Sequence, residues 1–173
     1  MNIIRNAEFG GARPLFASHD LHLDNVTIHA GESALKECSH IVAENSRFEG
    51  KYPFWHVDGF TIKNCLFTEG ARAALWYSRN LVMTDTKVDA PKMFREMDEL
   101  SLENVEIPDA QETLWHCRNV RLKNVRVDHA DYLFLHGENI RIEDYTQNRN
   151  YSSQYCTNVE IRRAVINSKD AFC

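Results

Sequence analysis

The hydrophobic and polar positions of this chain repeat with a period of about twenty residues. The phrase apolar-x-apolar-x-Asn-x-x-apolar occurs eight times, and Asp or Arg replaces Asn in three of the copies. The first apolar positions are spaced by 20, 19, 21, 19, 20, 20 and 19 residues, and they are Leu21, Ile41, Phe60, Leu81, Leu100, Val120, Ile140 and Val159. A period this constant is typical of a repeat architecture in which every repeat is one structural unit.

Within each copy the apolar residues alternate with polar ones, which is the period of a β-strand. No segment holds apolar residues at i, i+3, i+4 and i+7 over a dozen residues, so helices contribute little. A strand, a turn and a second short strand in every repeat form one coil of a solenoid, because a single repeat cannot bury its apolar side alone. Leucine-rich repeats share this length, but their asparagine follows the last strand leucine after three residues, whereas here it follows after two.

The sequence therefore predicts an all-β fold, a single-stranded right-handed parallel β-helix of about eight coils with 19–21 residues each. The right-handed sense follows from the rule for parallel crossovers and not from any residue. We expect one domain over residues 1–173, with residues 1–14 as an N-terminal cap and residues 159–173 as a last, incomplete coil.

Asparagine and aspartate are expected to form a column at the corner that ends the first strand of each coil. These residues tolerate a left-handed backbone and bond to their own backbone, which suits a sharp corner, and stacked amides bond to one another. A polar binding strip is the functional alternative for the same column. Arg163 is expected to break the column where the regular structure fails, and the column consists of Asn25, Asn45, Asn64, Asp85, Asn104, Asn124 and Asp144.

The second strand of each coil predicts two columns that face inward. The apolar one contains Leu15, Leu35, Phe54, Leu75, Phe94, Leu114 and Phe134. Three residues later a column of mostly small side chains contains Ser18, Cys38, Val57, Ser78, Met97, Cys117, Gly137 and Cys156. A compact thiol packs well in such a place, so we interpret these cysteines as structural.

Two columns between these form the candidate site. One holds all three tryptophans, at cation–π distance from a cation, and reads Phe16, Lys36, Trp55, Trp76, Arg95, Trp115, Leu135 and Gln154. The other is titratable or phenolic in seven consecutive coils and reads Ala17, Glu37, His56, Tyr77, Glu96, His116, His136 and Tyr155. We expect both columns to face solvent, with Trp55, Trp76, Arg95, Trp115, Glu37, His56, Tyr77, Glu96, His116 and His136 as ligand-binding residues.

Two hypotheses from different classes fit this site. A flat face of tryptophans stacks sugar rings, which favours a carbohydrate- or small-ligand-binding scaffold. Adjacent Glu and His side chains could also perform acid–base catalysis, so a carbohydrate-active enzyme ranks third. The alternative is a structural or protein-interaction solenoid, because identical coil positions favour residues that stack on each other without a ligand. If side chains alternated strictly between inside and outside, starting from the apolar column that contains Leu35, the Glu/His column two residues later would also face inward.

The composition of the chain argues against some classes of binding partner. The chain has 20 Lys plus Arg against 25 Asp plus Glu, a net charge of −5, which argues against nucleic acid and anionic membranes. Five cysteines without close-paired spacing indicate free thiols in a reducing cytoplasm. No metal or cofactor motif is present, and no apolar run approaches the ~18 residues of a membrane span.

Three phrases carry a resemblance to a known family: GESALKE at residues 31–37, YPFWHV at 52–57 and RAALWYS at 72–78. They resemble the uncharacterised bacterial DUF3737 proteins, a domain of unknown function with a pectin-lyase-like right-handed β-helix. The resemblance extends over essentially the whole chain. It implies a β-helix and a cytosolic bacterial protein, and it implies no activity.

The final coil predicts self-association. Phe172 falls in the apolar column and Cys173 in the tryptophan column, so the last coil is expected to expose its apolar cross-section. A solenoid needs a cover on each end. We therefore expect a homodimer through the C-terminal end, in which Val159, Ile161, Ile166 and Phe172 are buried.

Overall fold

The computed structural model describes residues 1–148 and 151–172, and these wind into a parallel β-solenoid of about eight turns. The predicted β-helix is thereby confirmed. One short 3₁₀ helix covers Glu69–Ala71. The strands are β1 (Asn2–Ala12), β2 (His19–Glu32), β3 (Leu35–Lys36), β4 (Ser39–Glu44), β5 (Arg47–Phe48), β6 (Phe54–Trp55), β7 (Asp58–Lys63), β8 (Leu66–Phe67), β9 (Arg79–Val88), β10 (Asp98–Ile107), β11 (Arg118–Val127), β12 (Glu138–Asn148) and β13 (Thr157–Asn167).

All strand pairings are parallel, and each joins one coil to the next. Eleven strands form one sheet, in which β13, β12, β11, β10, β9, β7, β4 and β2 follow in this order. Leu100 pairs with Leu81 on one side and with Val120 on the other, so the repeat spacing of the sequence is also the register of the sheet. Residues 1–14, where the sequence predicts an N-terminal cap, contain a further parallel strand, because β1 pairs with β2 from Asn2 onward.

The asparagine corner lies inside the longer strands. In β10, Leu102 and Val105 are buried, and Glu103 and Asn104 between them are exposed. Asn104 has a φ of 54°, and this left-handed residue allows two consecutive side chains to face outward. Its amide donates to Asp85 Oδ1 at 3.0 Å and accepts from Asn124 Nδ2 at 2.7 Å. The predicted side-chain ladder therefore exists in these coils.

Two details of that ladder differ from expectation. Asn45 donates to Asp24 Oδ1 at 2.9 Å, one residue before the predicted partner Asn25. The predicted break at Arg163 is wrong. Arg163 keeps the left-handed corner, with a φ of 52°, and its Nε lies 2.6 Å from Asp144 Oδ1. A long cation thus continues the column by an ion pair, and β13 runs through it without interruption.

Both predicted inward columns face the core. Leu35, Phe54, Leu75, Phe94, Leu114 and Phe134 are fully buried, and Leu15 is nearly so. In the small column Ser18 and Cys156 are half-buried and the other members are buried. The Cys117 thiol donates to the Phe94 carbonyl at 3.1 Å, and burial raises the pKa of this thiol to about 12. Cys38, Cys65, Cys117 and Cys156 are free, as predicted; Cys173 lies outside the described residues.

The two ends of the described solenoid, β1 and β13, are less well covered than the coils between them. Val159, Ile161 and Ile166 of β13 pack against the core but remain half-buried, and Phe172 is 60% exposed. Within residues 1–148 and 151–172, no helix has the length and apolar character that crossing a membrane requires.

Candidate functional site

Backbone pairing places the tryptophan column and the column beside it. Single parallel bridges join Trp55 to Trp76, Trp76 to Arg95 and Arg95 to Trp115, and the pairing of β3 with β6 adds Lys36 below Trp55. The residue that follows each member of the tryptophan column donates its backbone N–H to the backbone carbonyl of the column member in the next coil. The Glu96 N–H, for example, donates to the Trp115 carbonyl at 3.0 Å. The two columns are therefore in register over consecutive coils.

A second left-handed corner turns both columns outward. Glu37, His56, Tyr77, Glu96, His116 and His136 all have φ between 52° and 59°. We call these six residues and Tyr155, which has a φ of 54°, the outer column. All seven side chains are exposed. The residues that directly follow them, such as Val57 and Cys117, are buried, apart from the half-buried Cys156 in the last coil. The structure thus rules out the inward alternative for the Glu/His column.

Trp55, Trp76, Arg95 and Trp115 form what we call the tryptophan ladder, and each is half-buried. The Trp55 and Trp76 rings stack with centroids 5.1 Å apart. The Arg95 guanidinium lies between two rings, 4.4 Å from the Trp76 centroid and 4.5 Å from the Trp115 centroid. Both faces of Trp76 are therefore covered by neighbours in the ladder. The expected flat face for stacking sugar rings is not open at Trp76, which is a correction of the sequence interpretation.

The ladder is also fixed by hydrogen bonds to the backbone. Trp76 Nε1 donates to the Lys92 carbonyl at 2.7 Å, and Trp115 Nε1 donates to the Tyr132 carbonyl at 2.5 Å. Arg95 Nη2 lies 3.8 Å from Glu112 Oε2, an ion pair without hydrogen-bond geometry, so two of its buried nitrogens have no hydrogen-bond partner among the described residues. The two aromatic faces supply the stabilisation that this cation lacks from acceptors.

The outer column consists of two ring stacks with Glu96 between them. His56 and Tyr77 stack at 5.3 Å, His116 and His136 at 5.1 Å, and His136 and Tyr155 at 5.0 Å. Because the faces contact each other, the ring edges, with their nitrogens and hydroxyls, face solvent. The result is a straight row of hydrogen-bonding groups with one group per coil.

The predicted Glu–His pairs lie in adjacent coils, but their side chains do not pair. In the part of the chain that the structure describes, no hydrogen bond or ion pair joins Glu37 to His56 or Glu96 to His116. General acid–base catalysis needs each group within hydrogen-bond reach of the substrate proton that it transfers. The same described residues contain no group of three or more His, Cys, Asp or Glu that could hold a metal ion.

Sequence reasoning missed several aromatic neighbours of the site. Tyr52 meets Trp55 edge to face at 5.3 Å, and Tyr132 stacks on Tyr151 at 4.9 Å. Tyr132 and Tyr151 are one repeat apart, so the period alone could have paired them. Leu135 and Gln154 extend the tryptophan column with half-buried and buried side chains.

The comparisons with known proteins give a family and no activity. No curated protein matches the chain. A family model described as a protein of unknown function, DUF3737, matches residues 2–173, which is nearly the whole sequence. The β-solenoid agrees with the fold that the resemblance implied. The chain therefore belongs to the DUF3737 family.

Proposed function

We propose that this protein is a carbohydrate-binding scaffold whose ligand lies along the outer column. The observation that carries the proposal is the unbroken exposed row from Glu37 to Tyr155, in which every coil presents one donor or acceptor. Neighbouring strands are about 4.8 Å apart, so these groups recur at a spacing that suits a chain of hydroxyl-bearing rings. The ligand would receive hydrogen bonds from ring edges and carboxylates instead of stacking on open tryptophan faces.

The tryptophan ladder supports this row in two ways. Its stacked rings and backbone hydrogen bonds hold the adjacent corner in place, which lowers the entropic cost of ordering the binding groups. Trp55 also contacts the outer column directly, with its ring centroid 5.4 Å from that of Tyr77. A ligand on the outer column would therefore change tryptophan fluorescence.

A glycan panel followed by tryptophan fluorescence titration tests the proposal. We expect at least one neutral oligosaccharide to bind saturably, and E96A together with H116A to weaken it. Two lost hydrogen bonds at ~0.5–1.5 kcal/mol each correspond to roughly a five- to a hundred-fold loss of affinity. E99A is the matched control, since Glu99 is also exposed at a left-handed corner of the same coil, with a φ of 58°. Equal affinities of the two variants, or no binding by any glycan, would overturn the proposal.

The alternative function, an interaction solenoid that self-associates through its C-terminal end, is favoured by one observation. Val159, Ile161 and Ile166 are only half-buried, although the equivalent residues of the strands from β2 to β12 are buried. A second copy abutting the last coil would cover them. Light scattering at high micromolar concentration should then give twice the monomer mass, and I161E should restore the monomer. A monomeric wild type would rule this alternative out.

A further inference from the structure

In one coil of the outer column a carboxylate stands between two rings. Backbone pairing places Tyr77, Glu96 and His116 in consecutive coils, because the Tyr77 N–H donates to the Arg95 carbonyl at 2.9 Å and the Glu96 N–H donates to the Trp115 carbonyl at 3.0 Å. Neighbouring coils are about 4.8 Å apart, so the Tyr77 and His116 side chains start from backbone positions about 9.6 Å apart. Among the seven residues of the outer column, Glu96 is the one that has a ring in both neighbouring coils and none of its own.

Both rings are covered on the side that points away from Glu96 and open on the side that points toward it. His56 stacks on the far face of Tyr77, and His136 stacks on the far face of His116. In the part of the chain that the structure describes, no ring or guanidinium contacts either residue from the coil of Glu96. Tyr77 is accordingly 46% exposed. We call the space between the facing sides of Tyr77 and His116, with Glu96 at its base, the slot.

The adjacent tryptophan ladder contains the same arrangement with the space filled. In the same coil as Glu96, the Arg95 guanidinium lies between the Trp76 and Trp115 rings, 4.4 Å and 4.5 Å from their centroids. A flat group therefore fits between two rings that are two coils apart and contacts both of them. The Glu96 side chain offers no flat ring, is exposed, and has no hydrogen-bond or ion-pair partner among the described residues. A ring from outside the chain can take the place in the slot that Arg95 takes in the ladder.

The cations beside the slot are already paired with carboxylates. These ion pairs are Arg79 with Asp58 at 2.9 Å, Arg118 with Asp98 at 3.0 Å, and Lys92 and Arg95 with Glu112 at 3.3 Å and 3.8 Å. Since Lys92 and Arg95 share one carboxylate, Glu96 supplies a second negative charge for them. An ionised carboxylate only accepts hydrogen bonds. The slot therefore suits a neutral ring that carries hydrogen-bond donors at its edge, and not a cation or an anion.

We propose that the slot binds a single pyranose ring of gluco configuration, at the end or on a branch of the carbohydrate that the outer column binds. This inference rests on the proposed function and assigns one ring of the ligand to one place. The substituents of such a ring are equatorial, so both of its faces carry only C–H bonds, which stack on the negative faces of aromatic rings. Neighbouring hydroxyls at its edge donate to the two carboxylate oxygens of Glu96.

The geometry of the slot also restricts the linkage and the sugar. Rings close the slot on both faces of the pyranose, and Glu96 closes one edge. The glycosidic bond therefore leaves from the opposite edge toward solvent, which requires a terminal or branch residue. An axial hydroxyl would point at the Tyr77 or the His116 ring, where no acceptor replaces the water that it loses. The slot is thus expected to reject sugars with axial hydroxyls.

Titration of the ¹⁵N-labelled full chain with methyl β-glucopyranoside tests the slot. We expect saturable amide shifts centred on Tyr77, Glu96 and His116. Saturation transfer from the protein should reach the axial protons on both faces of the sugar, because one face lies against each ring. Transfer to one face only would contradict a slot between two rings.

Variants at the base of the slot separate binding from folding. E96A should weaken binding by about tenfold or more, since two hydrogen bonds to a charged group are lost. E96F places a ring of the chain itself in the slot and should abolish binding, with an unchanged far-UV spectrum. E99A is the matched control, because Glu99 is exposed at a left-handed corner of the same coil but lies outside the outer column, and it should bind like the wild type.

A second glycoside and the glycan panel separate this inference from the proposed function. Methyl β-galactopyranoside, which has one axial hydroxyl, should bind several-fold more weakly than the glucoside. Equal binding of the two glycosides, or binding by E96F at the affinity of the wild type, would overturn the slot. If an oligosaccharide of the panel binds and the glucoside does not, the slot is wrong and the carbohydrate-binding function stands. If neither binds, both are wrong.

Discussion

Two of the left-handed positions of each coil, the first corner at the asparagine column and the second corner at the outer column, have the same backbone conformation but different side chains. Asn104 at the first corner has a φ of 54°, and Glu96 at the second has a φ of 53°. At the first corner the side chains hydrogen-bond from coil to coil, as Asn124 does to Asn104 at 2.7 Å. At the second corner the side chains of His116 and His136 stack through their faces, and their polar edges are left to solvent.

The left-handed backbone explains the residue types at the first corner but not those at the second. Asn and Asp enter the left-handed region more readily than other non-glycine residues, so the first corner needs no further reason for its composition. Glutamate and tyrosine gain nothing from a left-handed backbone, and such positions cost of order 1–3 kcal/mol. Glu37, Tyr77 and Glu96 are therefore among the residues whose identity the left-handed backbone does not explain, as are Glu99 and Glu112, and binding is the reason that our proposal gives for the first three.

The largest effect is expected from removing the cation that holds the second corner together. R95A leaves a gap between Trp76 and Trp115 and deletes two cation–π contacts, so we expect a loss of about 2–3 kcal/mol in the free energy of unfolding. Urea denaturation monitored by far-UV circular dichroism measures it. R95K should fall between the wild type and R95A. A loss below about 0.5 kcal/mol would show that the ladder does not contribute to stability.

A smaller effect is expected at the first corner. N104A removes two side-chain hydrogen bonds and keeps a Cβ in the left-handed region, so we expect a loss of about 1–2 kcal/mol. N104G removes the same hydrogen bonds but relieves the backbone, and it should lose less than N104A in the same denaturation experiment. Equal losses for the two variants would mean that the corner conformation is not what asparagine supplies.

A glycine at the second corner should raise the free energy of unfolding, whereas the substitutions at Arg95 and Asn104 lower it. Glu96 makes no side-chain hydrogen bond among the described residues and has a φ of 53°, so E96G is expected to stabilise by about 0.5–1 kcal/mol. E103G is the matched control, because Glu103 is exposed in the same coil but lies within β10 without a positive φ, and it should destabilise by about 0.5–1 kcal/mol. Destabilisation by both variants would contradict the strain argument.

The smallest effect is expected at His29, which belongs to neither corner. Its ring lies 3.0 Å from Glu8 Oε1 and 2.9 Å from Glu49 Oε1, and the hydrogen bond that the ring donates to Glu8 is the main cause that raises the pKa of His29 above 6.5. A raised folded-state pKa means that this stabilisation is complete below pH 6.5 and is lost as the pH rises through the folded-state pKa.

Thermal unfolding from pH 5 to pH 8 checks this sign. The melting temperature of the wild type should fall over that range by slightly more than that of H29Q. H129Q is the control, because the His129 ring contacts the Pro108 carbonyl at 3.0 Å instead of a carboxylate, and it should follow the wild type. A steeper fall for H29Q than for the wild type would show that the sign is wrong.

The sequence predicts those features that depend on the period. Leu100 and Val120 are one repeat apart and become strand neighbours, and the tryptophan column follows from the same count. The left-handed conformation of His116 leaves no comparable signal, because histidine at a corner has the same sequence pattern as histidine in a strand. Alternation alone could not decide whether that column faces in or out, and only the backbone angle decides it.

Side-chain pairing is the other part that the period does not determine. The register of Glu143 with Arg162 follows from the repeat, but Arg162 pairs with Glu160 of its own strand and Glu143 pairs with Arg163. Long side chains choose among several acceptors within reach, and a column count does not fix that choice. For the same reason the sequence predicted a break at Arg163 where the structure has an ion pair.

Because the coils stack in strict register, the length of the solenoid is the property that deletions and duplications can change most easily. Asn104 and Asn124 occupy the same place in consecutive coils, so a deletion that joins Glu103 to Asn124 removes one repeat and leaves every column continuous. Each such loss, or the matching duplication, changes the rod by about 4.8 Å and requires no new packing solution. A gene for this fold can thus adjust the reach of the molecule in whole coils, and the outer column lengthens or shortens with it.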